Sequence, residues 1–117
     1  MLTVYGLKNC DTCRKARKWL DSKGIEHSFR DVRADGVSEK EIARWAKAAG
    51  AEALLNRRGT TWRGLAAAEQ ARAENGGAVA LMAAHPALIK RPVFEAGGEV
   101  VIGFGAAEQK ALAKIAG

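Results

Sequence analysis

The residues with the clearest capacity for chemistry are Cys10 and Cys13, in the run Cys10-Asp11-Thr12-Cys13. They are the chain's 2 cysteines and sit within one short run, so they cannot staple distant segments as paired cysteines do in small secreted scaffolds. Their use is local and chemical. A thiol attacks only as its thiolate, and a reference pKa of about 8.5 leaves most of an ordinary cysteine protonated at neutral pH. Reactivity therefore depends on surroundings that favour the anion. Lys8, Arg14, Lys15, Arg17 and Lys18 flank the pair, while Glu39, Glu41, Glu69, Glu74 and Glu108 lie elsewhere. A structural zinc normally takes four Cys or His ligands, and only His27 and His85 remain to complete such a set, so no metal site is predicted.

The elements that must position these sulfurs are legible nearby. Leu2-Thr3-Val4-Tyr5 is a short apolar, β-branched run ended by Gly6, the pattern of a buried strand entering a turn. From Cys13 the apolar residues Ala16, Trp19 and Leu20 recur at helical spacing until Gly24. Cys10 thus falls at or just before a helix N-terminus, where unpaired backbone N–H groups and the helix dipole favour negative charge. Lys8 and Arg14 act in the same direction. Cys10 is the expected nucleophile. Cys13, one turn into the helix, is close enough to resolve a mixed disulfide formed at Cys10; its bland reading is a small core residue. Arg14 either holds the thiolate or a bound anion, or is simply solvated. Lys15, Arg17 and Lys18 read as a solvated face, and His85, before a proline, as a cap or packing residue.

A second strand is expected within Ile25 to Val32, making a right-handed βαβ unit with parallel strands. Ser38-Glu39-Lys40-Glu41 has the form of a capping box and opens a helix with Ile42, Trp45, Ala46 and Ala49 on one face, ended by Gly50. Then come an apolar piece at Leu54-Leu55, a basic loop Asn56-Arg57-Arg58-Gly59, and a cap at Thr60 or Thr61. Alanine-rich helices to Glu74 and from Val79 to Ala84 are split by Asn75-Gly76-Gly77. Arg91-Pro92-Val93-Phe94 and Val100-Val101-Ile102 form a hairpin about Gly97-Gly98, and a last helix runs from about Ala106 to Ile115. The order βαβ, helices, ββα predicts an α/β chain of thioredoxin-like fold, a mixed four-stranded sheet with a helical insertion at about 38–88.

The chain has 117 residues, 48% of them hydrophobic, as expected of one domain with a single core. No stretch approaches the roughly 18 to 20 apolar residues of a membrane span, and no signal-peptide pattern opens the chain. The expectation is a cytoplasmic protein without a membrane partner. The formal net charge of +6 favours anionic partners without choosing among them. No basic-aromatic pattern or recognition helix points to nucleic acid.

The runs Tyr5-Gly6-Leu7-Lys8-Asn9-Cys10-Asp11-Thr12-Cys13-Arg14-Lys15-Ala16 and His85-Pro86-Ala87-Leu88-Ile89-Lys90-Arg91-Pro92 resemble the arsenate reductase (ArsC)/Spx family. The opening up to Cys10 and the run from Leu54 to Arg63 look most like its YffB-type branch. The resemblance implies a nucleophile at Cys10 and a cis peptide between Arg91 and Pro92. In arsenate reductases three arginines grip the oxyanion; only Arg91 matches one of them, Asn56 and Gly103 standing where the others would be, with Arg57 or Arg58 as partial substitutes for the first. An oxyanion needs several charge-assisted donors, so this departure argues against efficient arsenate reduction. YffB-type relatives are regarded as glutathione-dependent thiol reductases, and glutathione's two carboxylates would suit Arg91, Arg57, Arg58 and Lys8. The resemblance therefore implies an enzyme with no bound cofactor, with glutathione as cosubstrate and a disulfide or oxidised substrate. The alternatives are a redox-switched regulator that binds RNA polymerase, as Spx proteins do, or a weak arsenate reductase.

Overall fold

The structure, a computed structural model, describes residues 2–116. It divides into two compact units: the chain up to Asp35 together with the chain from Arg91 onward, and the intervening Gly36–Lys90.

The first unit carries the sheet. Strand β1 (Leu2–Gly6) leads to helix α1 (Asp11–Ser22) and strand β2 (His27–Asp31); after the second unit come β3 (Val93–Ala96), β4 (Glu99–Ile102) and helix α7 (Ala106–Ala116). The strand order is β2-β1-β3-β4. β1 and β2 are parallel, with Gly6 opposite Asp31, and β1–β3 and β3–β4 are antiparallel. This is the mixed thioredoxin-like sheet that the order of elements predicts. The hairpin turns at Gly97 and Gly98, whose φ of +53° and +87° are conformations that glycine adopts without a Cβ clash.

The spacing of α1 accounts for its seat. Cys13, Ala16 and Leu20 recur every three or four residues and are buried, while Arg14, Lys15 and Lys18 face solvent. Ala16 and Leu20 join Leu2, Val4, Phe94 and Leu112 in one apolar cluster, with Trp19 edge-on to Phe104 at 5.7 Å. Each such large side chain withdrawn from water stabilises the fold by about 1.5–3 kcal/mol. Arg91 and Pro92 precede β3 instead of beginning it, and their peptide bond is cis. Proline has no N–H for a ladder.

The second unit is helical. Helix α2 (Glu39–Ala49) begins with the expected capping box: the Glu41 N–H donates to the Ser38 hydroxyl at 3.1 Å and the Ser38 N–H to the Glu41 carboxylate at 3.0 Å. Ile42 and Trp45 are its buried face, and it stops at Gly50, where φ is +93°. The expected apolar pair is buried and divided between two elements: Leu54 ends a short helix α3 (Ala51–Leu54), and Leu55 forms a bridge with Ile89, flanked by Asn56 N–H to Leu88 O and Lys90 N–H to Leu54 O, both 2.7 Å. Helix α4 (Thr60–Arg63) is preceded by Gly59, so Thr60 and Thr61 lie inside the helix and do not cap it. Helices α5 (Ala67–Arg72) and α6 (Ala78–Ala84) flank a kinked segment, Ala73–Gly77, in which Asn75 and Gly76 leave the helical conformation where the sequence predicts a break. A 3-10 turn, Pro86–Leu88, closes the unit. No helix among the described residues is long and apolar enough to cross a membrane.

Candidate active site

Strand β1 ends at Gly6, and Leu7, Lys8 and Asn9 carry the chain across to α1. Cys10 takes the N-cap position in extended conformation (φ −89°, ψ 121°): its N–H donates to Leu7 O at 3.2 Å and its carbonyl accepts the Arg14 N–H at 3.0 Å. Both cysteines are free thiols, Cys10 half-buried and Cys13 fully buried.

Their surroundings drive the two sulfurs apart in acidity. Partial burial pushes the Cys10 thiol up, but the Cys13 backbone N–H, the Cys13 thiol and the hydrogen bond and charge of Arg91 outweigh it, and Cys10 ends below the ordinary cysteine range. The Cys13 N–H acts on the sulfur as a nearby dipole, because the Cys10 side chain makes no capping hydrogen bond of regular geometry. Cys13 is pushed up to about 11, first by burial and then by the hydrogen bond and charge of Cys10, against the opposing Leu7 backbone and Arg91. The pair is thus one acidic, reachable sulfur above one that keeps its proton.

The cations are not distributed as the sequence predicts. Arg14 is exposed and paired with Asp11, one turn back on α1. The Lys8 backbone N–H donates to Asp31, and the charge of Lys8 helps hold that carboxyl low. The guanidinium that faces Cys10 is that of Arg91, beside the buried cis Pro92. Arg17 lies over the Phe29 ring at 4.3 Å.

Asn56, Arg57 and Arg58 belong to the helical unit. The Asn56 carbonyl oxygen accepts the Arg58 N–H at 3.0 Å, Arg57 pairs with Glu52 at 3.3 Å and lies over Trp62 at 5.4 Å, and Arg58 is exposed. His85 faces Glu69 at 3.3 Å. Gly103, after β4, has φ +89° and donates its N–H to Pro92 O at 2.8 Å. Among the described residues no group of three or more His, Cys, Asp or Glu is placed to hold a metal ion.

Two residues that sequence reasoning passed over shape this site. Gly6 reads as a strand end, yet a Cβ built on it would stand 2.5 Å from the Cys13 sulfur. Its smallness makes the seat for that thiol. Asp31 reads only as the end of a strand, yet it is buried at 6% exposure and its carboxylate accepts three backbone N–H groups. The signal for it was present: an aspartate before Ala34-Asp35-Gly36 is a turn former by its side chain.

A four-stranded mixed sheet, a cysteine at the mouth of its first helix and a cis proline leading into its third strand define the thioredoxin-like class. Within that class, the chain belongs to the ArsC family, whose sequence model matches residues 5–112. It is 40% identical over 111 residues to an uncharacterized protein of Haemophilus influenzae, covering 95% of this chain and 97% of that one. Among solved structures it is similar to a protein described as YffB, with TM-score 0.90, 39% identity and full coverage of both chains. An arsenate reductase (ArsC) related protein from Brucella melitensis gives TM-score 0.75 and 41% identity, over 97% of this chain and 94% of that one. A shorter stretch of 42 residues is 36% identical to the global transcriptional regulator Spx 1 of Bacillus cereus, 36% of this chain and 32% of that protein.

Proposed function

We propose that this protein is a glutathione-dependent thiol-disulfide oxidoreductase whose nucleophile is Cys10. The observation that carries the reading is the half-buried Cys10 sulfur at the start of α1, facing Arg91 and acidified relative to an ordinary cysteine. The Cys10 thiolate attacks a disulfide R–S–S–R′; the Cys10–S–S–R bond forms, the substrate bond breaks, and R′S⁻ leaves and takes a proton from water. One glutathione thiolate then attacks the mixed disulfide and frees Cys10, giving R–S–S–glutathione. Alternatively Cys13 attacks, RS⁻ leaves, and two glutathiones reduce the Cys10–Cys13 disulfide while becoming oxidised glutathione.

The acidity of Cys13 bears on the choice. Pushed up to about 11, chiefly by burial, Cys13 keeps its proton at neutral pH. Once Cys10 is in a mixed disulfide its negative charge is gone and Arg91 acts on Cys13 alone, but burial, the largest influence, remains. Release by glutathione is therefore the favoured route. Arg91 and Lys8, in the same unit as Cys10, are the candidate partners of glutathione's carboxylates, and a reactive thiol of this kind suits a reducing, cytoplasmic setting. Steady-state turnover of a disulfide by wild type, Cys10→Ser and Cys13→Ser, with glutathione and with thioredoxin, tests this. Wild-type turnover with glutathione, lost in Cys10→Ser and kept in Cys13→Ser, is expected; absence of glutathione-driven turnover in wild type removes the reading.

The match to Spx favours a second reading, a redox-switched regulator that binds RNA polymerase. Recovery of a polymerase subunit from extract by the oxidised protein and not by the reduced one would reverse the order of the two.

A further inference from the structure

Asp31 is a buried charge with no part in the thiol chemistry above. It stands at the end of β2, opposite Gly6 of β1. Its Oδ1 accepts the N–H groups of Arg33 at 2.8 Å and Ala34 at 2.9 Å, closing the turn that follows β2. Those two bonds alone would make it a turn residue. Its Oδ2 instead reaches a different segment and accepts the N–H of Lys8 at 3.0 Å, two residues before Cys10. That segment serves both sulfurs: the Leu7 carbonyl accepts the Cys10 N–H, and the Leu7 backbone faces the Cys13 thiol. A further strap runs alongside, from the Val32 N–H to Gly6 O at 2.9 Å.

We propose that Asp31 is a positioning residue for Cys10: by holding the Lys8 N–H, its carboxylate fixes the loop that presents the Cys10 sulfur to the start of α1 and to Arg91. This rests on the reading of Cys10 as nucleophile. The groups about the carboxylate support a fixed anion. Lys8 brings a compensating charge, the Asp35 carboxylate is turned to the Asp31 N–H at 3.0 Å, and the backbone N–H groups hold the Asp31 carboxyl below the usual carboxylate range. The sign of the effect separates positioning from simple charge. A negative charge acting through space would raise the pKa of a nearby thiol, so neutralising it would lower that pKa. A holding role demands the opposite, because a loosened loop takes the sulfur away from Arg91 and the helix N–H groups.

The test is the pH dependence of Cys10 alkylation by iodoacetamide in wild type, Asp31→Asn, Asp31→Ala and Leu112→Ala, with urea stability of each. Leu112→Ala removes a buried core side chain away from the loop and serves as the control for a general loss of stability. Both Asp31 variants are expected to raise the alkylation midpoint by about one pH unit, a rate about tenfold lower on the acid side, while Leu112→Ala leaves it in place. A midpoint unchanged or lowered in the Asp31 variants overturns the proposal, as does an equal rise in Leu112→Ala. Should the Asp31 variants not fold, hydrogen exchange in wild type decides: a protected Lys8 amide supports the hold, and exchange at the rate of an open loop overturns it. An ordinary thiol midpoint already in wild type overturns the nucleophile reading itself, and this proposal with it.

Discussion

In the sheet unit, residues that act together come from opposite ends of the sequence. Arg91 faces Cys10, Glu95 accepts the Tyr5 hydroxyl at 3.3 Å, and Phe94 pairs with Val4. In the helical unit, side chains work mostly with near neighbours: Ser38 with Glu41, Asn56 with Arg58, Arg57 with Glu52. The difference bears on where function can be changed. A site made by remote segments depends on the whole unit folding, whereas a capped helix is decided within a turn.

The comparison predicts that chemistry responds to the sheet unit and stability to both. Largest, Cys10→Ser abolishes disulfide turnover while leaving the circular dichroism spectrum unchanged; residual turnover at the wild-type rate would move the chemistry elsewhere. Trp45→Ala, in the helical unit, should cost about 3–5 kcal/mol of unfolding free energy yet leave the Cys10 alkylation midpoint in place, and a moved midpoint would break the separation. Gly6→Ala should cost about 1–3 kcal/mol by overpacking the Cys13 sulfur, with Cys13 becoming open to alkylation under native conditions. Ser38→Ala is the smallest change, about 1 kcal/mol from the lost cap, read by urea unfolding with turnover unaffected.

Acid gives a further way to sharpen it. The Asp31 carboxyl is held low in the folded protein, first by the Ala34 and Lys8 N–H groups, so its contribution to stability is present above the unfolded value of about 3.9 and lost as pH falls through the folded value. Urea stability measured at pH 5 and at pH 3 should show this loss in wild type and less of it in Asp31→Asn.

What could be read in advance follows the same division. The capping box, the glycine stops at Gly24 and Gly50, the Gly97-Gly98 hairpin and the seat of Cys10 at a helix start each depend on residues a few positions apart, and each is as expected. Arg14 was legible as a cation near Cys10, but not its engagement by Asp11. Arg91 owed its place beside the thiol to a family likeness, since no local periodicity links position 91 to position 10. Gly6 and Asp31 were missed because the first matters through the space that Cys13 fills, and the second through a hydrogen bond to a loop in another part of the chain. Leu54-Leu55 carried too short an apolar run to separate a single helical turn from a strand.

The left-handed backbone at Gly103 limits what substitution alone could achieve. Its φ of +89° is a conformation in which any side chain is strained, at a cost of order 1–3 kcal/mol. A side chain placed there would bear that strain even though there is room for its Cβ, which would meet only the Glu108 carboxylate at 3.7 Å. The path of the main chain after β4 thus disfavours any side chain at this position, whatever its chemistry.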